Sequence, residues 1–282
     1  MQKTERAIRT GGVELATEAF GDPANPPVLL IMGVMASMLW WADGFCEQLA
    51  KTGRYVIRYD NRDTGRSTTC EPGKPDYTFD DMTDDAARVL DGYGIKKAHI
   101  VGVSMGGMLA QRVALRHPGR VLSVTVISSS PVGVDTSDLP GMTEAYQAHS
   151  AEGEKVDWSD TAQIVEYVIK DTRAIAGTAF PYDASAARAL VEKDAARARI
   201  YASITNHFML VGGGVPLDVR NLQLPLLVIH GTADPLFPVE HGEALAEAVT
   251  ASRMVRLEGG GHEIHPGHWD LIVSEIENHT AK

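Results

Sequence analysis

The chain has 282 residues, 44% of them hydrophobic and 22% charged, enough to bury one sizeable core with an insertion. Its 26 basic and 37 acidic residues give a net charge of −11, which opposes phosphate backbones and anionic lipid surfaces. Nucleic acid and membrane are therefore not expected as partners. The start, MQKTERAIRTGG, has no apolar signal core, and no run of about 18 apolar residues exists to span a bilayer. A soluble, cytoplasmic protein is expected, with Cys46 and Cys70 unpaired.

In chain order, VELATEAFG (13–21) predicts an antiparallel strand. Val- and Ile-rich runs predict further strands at 28–32, 54–60, 98–103, 122–128, 225–231 and 253–259. Amphipathic stretches between them predict helices at about 37–51, 79–93, 105–117, 240–249 and 267–279. Near-continuous apolar strands alternating with helices imply a mainly parallel α/β sheet covered on both faces. The rhythm breaks at 129–222, which shows helical patterns and no core strand. The organisation expected is a core of 1–128 and 223–282 with a helical cap at 129–222.

The strand AHIVGV runs into GVSMGG (Gly102–Gly107) and then a helix. This G-x-S-x-G context is a nucleophile elbow, with Ser104 on a sharp turn and glycines two residues to either side removing Cβ atoms that would collide. The plain alternative is a strand-to-helix turn capped by Ser104. A serine hydroxyl needs a base within hydrogen-bond reach and a third group to orient that base. In the chain order Ser, acid, His, the acid expected is Asp234 in HGTADPLFP, preferred over Asp135 and Asp218; otherwise Asp234 is a turn residue. EGGGHEIHPGHW holds His262, His265 and His268 just beyond the last strand. His262 comes first and is the expected base. Pro266 and Gly267 interrupt the helix that a histidine metal ladder would require, so no metal is expected. Oxyanion donors are expected from the backbone amides of Met105 and of Val34 in MGVMAS.

These residues resemble the α/β-hydrolase superfamily from about Gly12 onward: MGVM, YDNRDTGRST, GVSMGG, HGTADPLFP and GGGHE. IMGVMASMLWW and VIRYDNRDTGRSTT look like the subgroup of anthracycline methylesterases and macrolide esterases. The resemblance implies an eight-stranded, mostly parallel sheet with a helical cap, and a serine esterase using Ser104, Asp234 and His262 without a cofactor. It implies a bulky polyketide ester as substrate, a macrolide antibiotic's ring ester among the candidates. One departure is visible: Met32 stands where many members have the His of His-Gly, so the residue that would brace the oxyanion loop is missing.

The insertion and nearby loops supply candidate pocket residues: Met38, Trp40, Phe180, Tyr182, His207 and Phe237. Most of the insertion's aromatic residues could equally form its own small core. Arg62, Asp63 and Arg66 are expected to brace their turn by local ion pairs. The same triad would also serve a cofactor-free perhydrolase or a carbon–carbon bond hydrolase, and a ligand receptor with vestigial chemistry is the non-enzyme alternative. The expected partner is a small-molecule ester; monomer and dimer are both open.

Overall fold

The computed structural model describes residues 3–210 and 216–281. Eight strands form one sheet: β1 (Lys3–Thr10), β2 (Val13–Phe20), β3 (Pro27–Ile31), β4 (Tyr55–Tyr59), β5 (Ala98–Val103), β6 (Val121–Ile127), β7 (Leu226–Gly231) and β8 (Ser252–Leu257). Their order is β1-β2-β4-β3-β5-β6-β7-β8. β1 and β2 form an antiparallel hairpin, β2 pairs antiparallel with β4, and all later pairs are parallel. The apolar runs fill the centre because a strand covered on both faces has no solvent side to keep polar. β1 escaped the sequence reading for the opposite reason: KTERAIRT is an exposed edge strand in which only Ile8 is buried.

Helices α1 (Asp43–Lys51) and α8 (Trp269–His279) cover one face. There Trp41, Phe45, Leu49, Ile272 and Ile276 pack on Val28, Val101 and Leu227. Helices α2 (Phe79–Gly92), α3 (Met105–Arg116) and α7 (Glu240–Ala248) cover the other. The helix expected over 37–51 is split into a 3-10 turn at Met38–Trp40 and α1. Two buried side chains hold the chain out of helix there: Asp60 accepts from the Met38 N–H at 3.0 Å, and Arg58 donates to the Trp41 carbonyl. At the other terminus a 3-10 turn over Pro266–His268 delays α8 to Trp269.

Between β6 and β7 come α4 (Glu144–Glu152), α5 (Thr161–Ala174), α6 (Ala184–Arg197) and a 3-10 segment at Tyr201–Met209, with no strand among the described residues. Residues 211–215 of this insertion lie outside them. Ile164, Val168, Val191, Tyr201 and Ile204 form a separate small core, against which Met35 and Trp40 of the sheet-side loop pack. Arg197 on α6 is paired with buried Asp60 at 2.6 Å, which fastens the insertion to the loop after β4.

The expected local ion pairs of the 62–66 turn are not what forms. Arg62 reaches α2 and grips Asp85 with two hydrogen bonds of 2.7 and 3.0 Å, and Asp63 accepts from Tyr77, Asn206 and the Cys70 N–H. Among the described residues the Arg66 guanidinium makes an exposed 3.8 Å pair with Glu5, while its backbone N–H donates to Asp60 at 2.9 Å. Sequence proximity suggested a turn bracing itself, whereas the buried guanidinium needs a carboxylate whose geometry matches its fork. Arg88 also pairs with Asp85, at 2.6 Å, so Arg62→Ala strips this buried carboxylate of two of the three side-chain hydrogen bonds it accepts among the described residues but leaves it one guanidinium. Urea unfolding should show a loss of about 1–3 kcal/mol, the cost of an under-satisfied buried polar group. Among the described residues no helix is long and apolar enough to cross a membrane.

Candidate active site

β5 delivers Ser104 to the carboxyl edge of the sheet, and α3 starts at the next residue. Ser104 has φ +55°, a conformation that costs a non-glycine residue about 1–3 kcal/mol and persists only where the surroundings impose it. Here they do: its N–H donates to Ile127 of β6 at 2.9 Å, and its carbonyl accepts from Ser129 Oγ at 2.7 Å. The turn is so tight that a Cβ on Gly102 would lie 2.0 Å from the Gly106 carbonyl oxygen. One on Gly106 would lie 2.2 Å from that of Ile31. Glycine at both positions is therefore a condition of the turn.

Asp234 and His262 arrive from the ends of β7 and β8. Asp234 divides its oxygens between two tasks. Oδ1 accepts from the Leu236 and Phe237 N–H groups, each at 2.9 Å, while Oδ2 accepts from His262 Nδ1 at 2.7 Å. The turn-residue role and the partnership with a histidine thus coexist. Burial alone would raise the Asp234 pKa, but the His262 charge and hydrogen bonds from His230 and His262 outweigh it, holding the carboxyl well below the usual range. His262 is buried; its own N–H donates to the Ile175 carbonyl at 2.9 Å, and Phe237 lies against its ring with centroids 5.7 Å apart. Its remaining nitrogen, Nε2, is buried with no partner among the described residues.

His230 was missed in the sequence. It sits fully buried with Nε2 2.8 Å from the Phe237 carbonyl and 3.5 Å from Asp234 Oδ2. The available signal was a histidine inside the otherwise apolar strand PLLVIHG, four residues before the acid.

The loop after β3 lies directly on the nucleophile: a Cβ on Gly33 would be 3.2 Å from Ser104 Cβ. With Met32 in place of histidine, the loop is braced from the insertion instead. His207 Nδ1 accepts from the Met35 N–H at 3.1 Å, and its Nε2 donates to the Arg62 carbonyl at 2.8 Å. His207 was expected to line the pocket; with both ring nitrogens committed to backbone it is a strut beneath the loop. Burial lowers its pKa. A depressed folded pKa means that the unfolded chain binds the proton more readily, so this stabilisation is complete above the ordinary value of 6.5 and declines as pH falls below it. The thermal midpoint should therefore drop between pH 7 and 5, and His207→Gln should flatten that dependence while lowering kcat more than it raises KM.

The other pocket candidates are scattered. Met38 is buried, and Trp40 Nε1 donates to the buried Asp194 at 2.8 Å. The Tyr182 hydroxyl pairs with Thr172 at 2.7 Å. Phe180 stacks on His265 with centroids 4.7 Å apart and planes 4° from parallel, and it meets His268 edge-on. The three C-terminal histidines therefore do not converge: His262 turns to Asp234, and the other two pack around Phe180. His265→Ala should leave kcat/KM on a small aryl ester within about threefold, since the ring stack contributes only about 1 kcal/mol.

Residues 26–268 match the α/β-hydrolase fold family. The chain belongs to that family. The α/β-hydrolase chain is 32% identical to rhodomycin D methylesterase DnrP of Streptomyces peucetius over 98% of its own length and 97% of that protein's. It is 31% identical to the methylesterase DauP of Streptomyces sp. strain C5, with the same coverage. Among solved structures, esterase RhEst1 of Rhodococcus sp. ECU1013 superposes with a TM-score of 0.76 at 22% identity, covering 100% of this chain and 99% of that one, a likeness of fold. With methylesterase relatives along its whole length, this α/β-hydrolase is a carboxylic ester hydrolase.

Proposed function

We propose that this chain hydrolyses the ester of a bulky, largely apolar molecule through an acyl-enzyme on Ser104, with His262 as base and Asp234 as its orienting acid. The observation that carries this is the 2.7 Å Asp234–His262 hydrogen bond at the same carboxyl edge of the sheet as a nucleophile elbow held at φ +55°. His262 Nε2 takes the Ser104 proton as Oγ attacks the ester carbonyl, and the Met105 and Val34 amides receive the oxyanion. Met105 opens α3, where first-turn N–H groups have no acceptor within the helix, and Val34 follows the glycine that lies on Ser104. The tetrahedral adduct collapses, and the leaving alcohol takes the proton from His262. Water then attacks the acyl-enzyme by the same route, releasing the acid and restoring Ser104.

The methylesterase relatives favour a methyl ester on a large ring system over a macrolactone. Mass spectrometry of a panel of polycyclic methyl esters, small aryl esters and macrolactones tests this. Loss of methanol with gain of water on the methyl esters is expected. Turnover confined to macrolactones, seen as gain of one water with no loss of methanol, would overturn the preference. Failure of Ser104 to label with a fluorophosphonate would overturn the mechanism.

A further inference from the structure

A second polar cluster lies in the insertion. The Tyr146 hydroxyl and His149 Nε2 both bond Asp171 Oδ1, at 3.0 and 3.1 Å, and the His149 ring stacks on Tyr167 with centroids 5.0 Å apart. Its two helices are anchored on the loops that carry Asp234 and His262. The Thr143 N–H, at the cap of α4, donates to the carbonyl of Pro235, next to Asp234, at 2.9 Å. Ile175, ending α5, accepts from the His262 N–H at 2.9 Å, and the Ile175 N–H in turn donates to the Asp171 carbonyl. Asp171 therefore stands one helical turn from the contact with His262. The charges register this proximity: His262 lowers the Asp171 pKa against the larger upward push of burial, and Asp234 adds to the rise at Tyr146.

Asp171 is enclosed enough for desolvation to dominate its titration, yet 28% of its side chain remains accessible to a ligand. Among the described residues both hydrogen bonds that its side chain accepts end on Oδ1, which leaves Oδ2 for a ligand. Three enclosed carboxylates here have an arginine, Asp60 with Arg197, Asp85 with Arg62 and Glu18 with Arg58. Asp63, Asp194 and Asp234 are held by uncharged donors or histidine but lie almost wholly out of solvent, as Asp171 does not. Among the described residues Asp171 is paired with no lysine or arginine. A carboxylate taken out of water is stabilised by a cation that comes with the ligand, aromatic faces add to that attraction, and a net charge of −11 draws cations in.

We infer that Asp171, its carboxylate held by Tyr146 and His149, is a subsite for a protonated amine carried by the ester substrate. This rests on the esterase reading at Ser104 and names part of its substrate.

Calorimetry with 4-phenylbutylammonium and its neutral counterpart 4-phenylbutan-1-ol reads the subsite without turnover. The wild-type protein should bind the ammonium about tenfold or more tightly, in the range of a charge-assisted hydrogen bond. Asp171→Asn should bring the two within about twofold, while Asp157→Asn, an exposed carboxylate of the insertion, should keep the preference. Equal binding by the wild type, or a preference that survives Asp171→Asn, overturns the assignment. Saturating ammonium should also slow fluorophosphonate labelling of wild-type Ser104 at least fivefold more than the alcohol does; equal rates would place the cation elsewhere. Absence of any labelling would instead sink the esterase reading, so the two failures are distinguishable.

Discussion

Ser104→Ala should lower kcat on an aryl ester by roughly 10⁶-fold, to a residue of activity contributed by binding and oxyanion stabilisation. The loss is this large because the proposed chemistry has a single nucleophile, and alanine offers neither an oxygen to acylate nor a proton for His262 to take. The fold should survive. The elbow is held by the Ser104 N–H donating to Ile127, by the Ser129 hydroxyl donating to the Ser104 carbonyl, and by the Gly102 and Gly106 close approaches, none of which uses the Ser104 hydroxyl. Near-wild-type turnover with an unchanged circular dichroism spectrum would rule Ser104 out as nucleophile, as would a fluorophosphonate adduct of undiminished mass yield on the variant.

Asp234→Asn should lower kcat by about 10⁴-fold with KM nearly unchanged, the signature of a base held in the wrong tautomer. The structure dictates which way the amide would face. The Leu236 and Phe237 N–H groups both require an acceptor at the Oδ1 position, so the asparagine oxygen is claimed there and its NH₂ is turned toward His262 Nδ1. The imidazole must then accept at Nδ1 and carry its proton on Nε2, the nitrogen that has to be free to take the Ser104 proton. The carboxyl of the native residue is held below the ordinary value of 3.8. Its contribution to stability is therefore complete above that pH and is lost only as pH falls well beneath it. Pre-steady-state kinetics should show slowed acylation, and a stability–pH curve of the variant should lack the acid-side decline due to this group. A variant that loses affinity while retaining kcat would remove Asp234 from the mechanism.

Much of the fold could be read from local pattern. Buried parallel strands appear as continuous apolar runs, and seven of the eight were placed to within about two residues. The eighth, β1, is polar along nearly its whole length and is a strand only because β2 offers it a full ladder of partners. Likewise SMLWW has the composition of a helix start, but the buried Asp60 and Arg58 claim its backbone groups and turn it into a 3-10 bend. Ser104, Asp234 and His262 were legible for a related reason: each follows the end of a strand, and the glycines around Ser104 mark a backbone approach that no other residue permits.

By itself the sequence determined which residues stand at the carboxyl edge of the sheet, because strand period, turn glycines and chain order are local properties of a backbone with few allowed conformations. Only the tertiary structure decided what braces them. His207 supports Met35 across 172 residues of chain, His230 lies against Asp234 inside the core, and Asp171 collects Tyr146 and His149 from a neighbouring helix. A buried polar group must find a partner wherever the packed chain offers one, and the satisfaction of that requirement depends on distances in space that leave no spacing in the sequence.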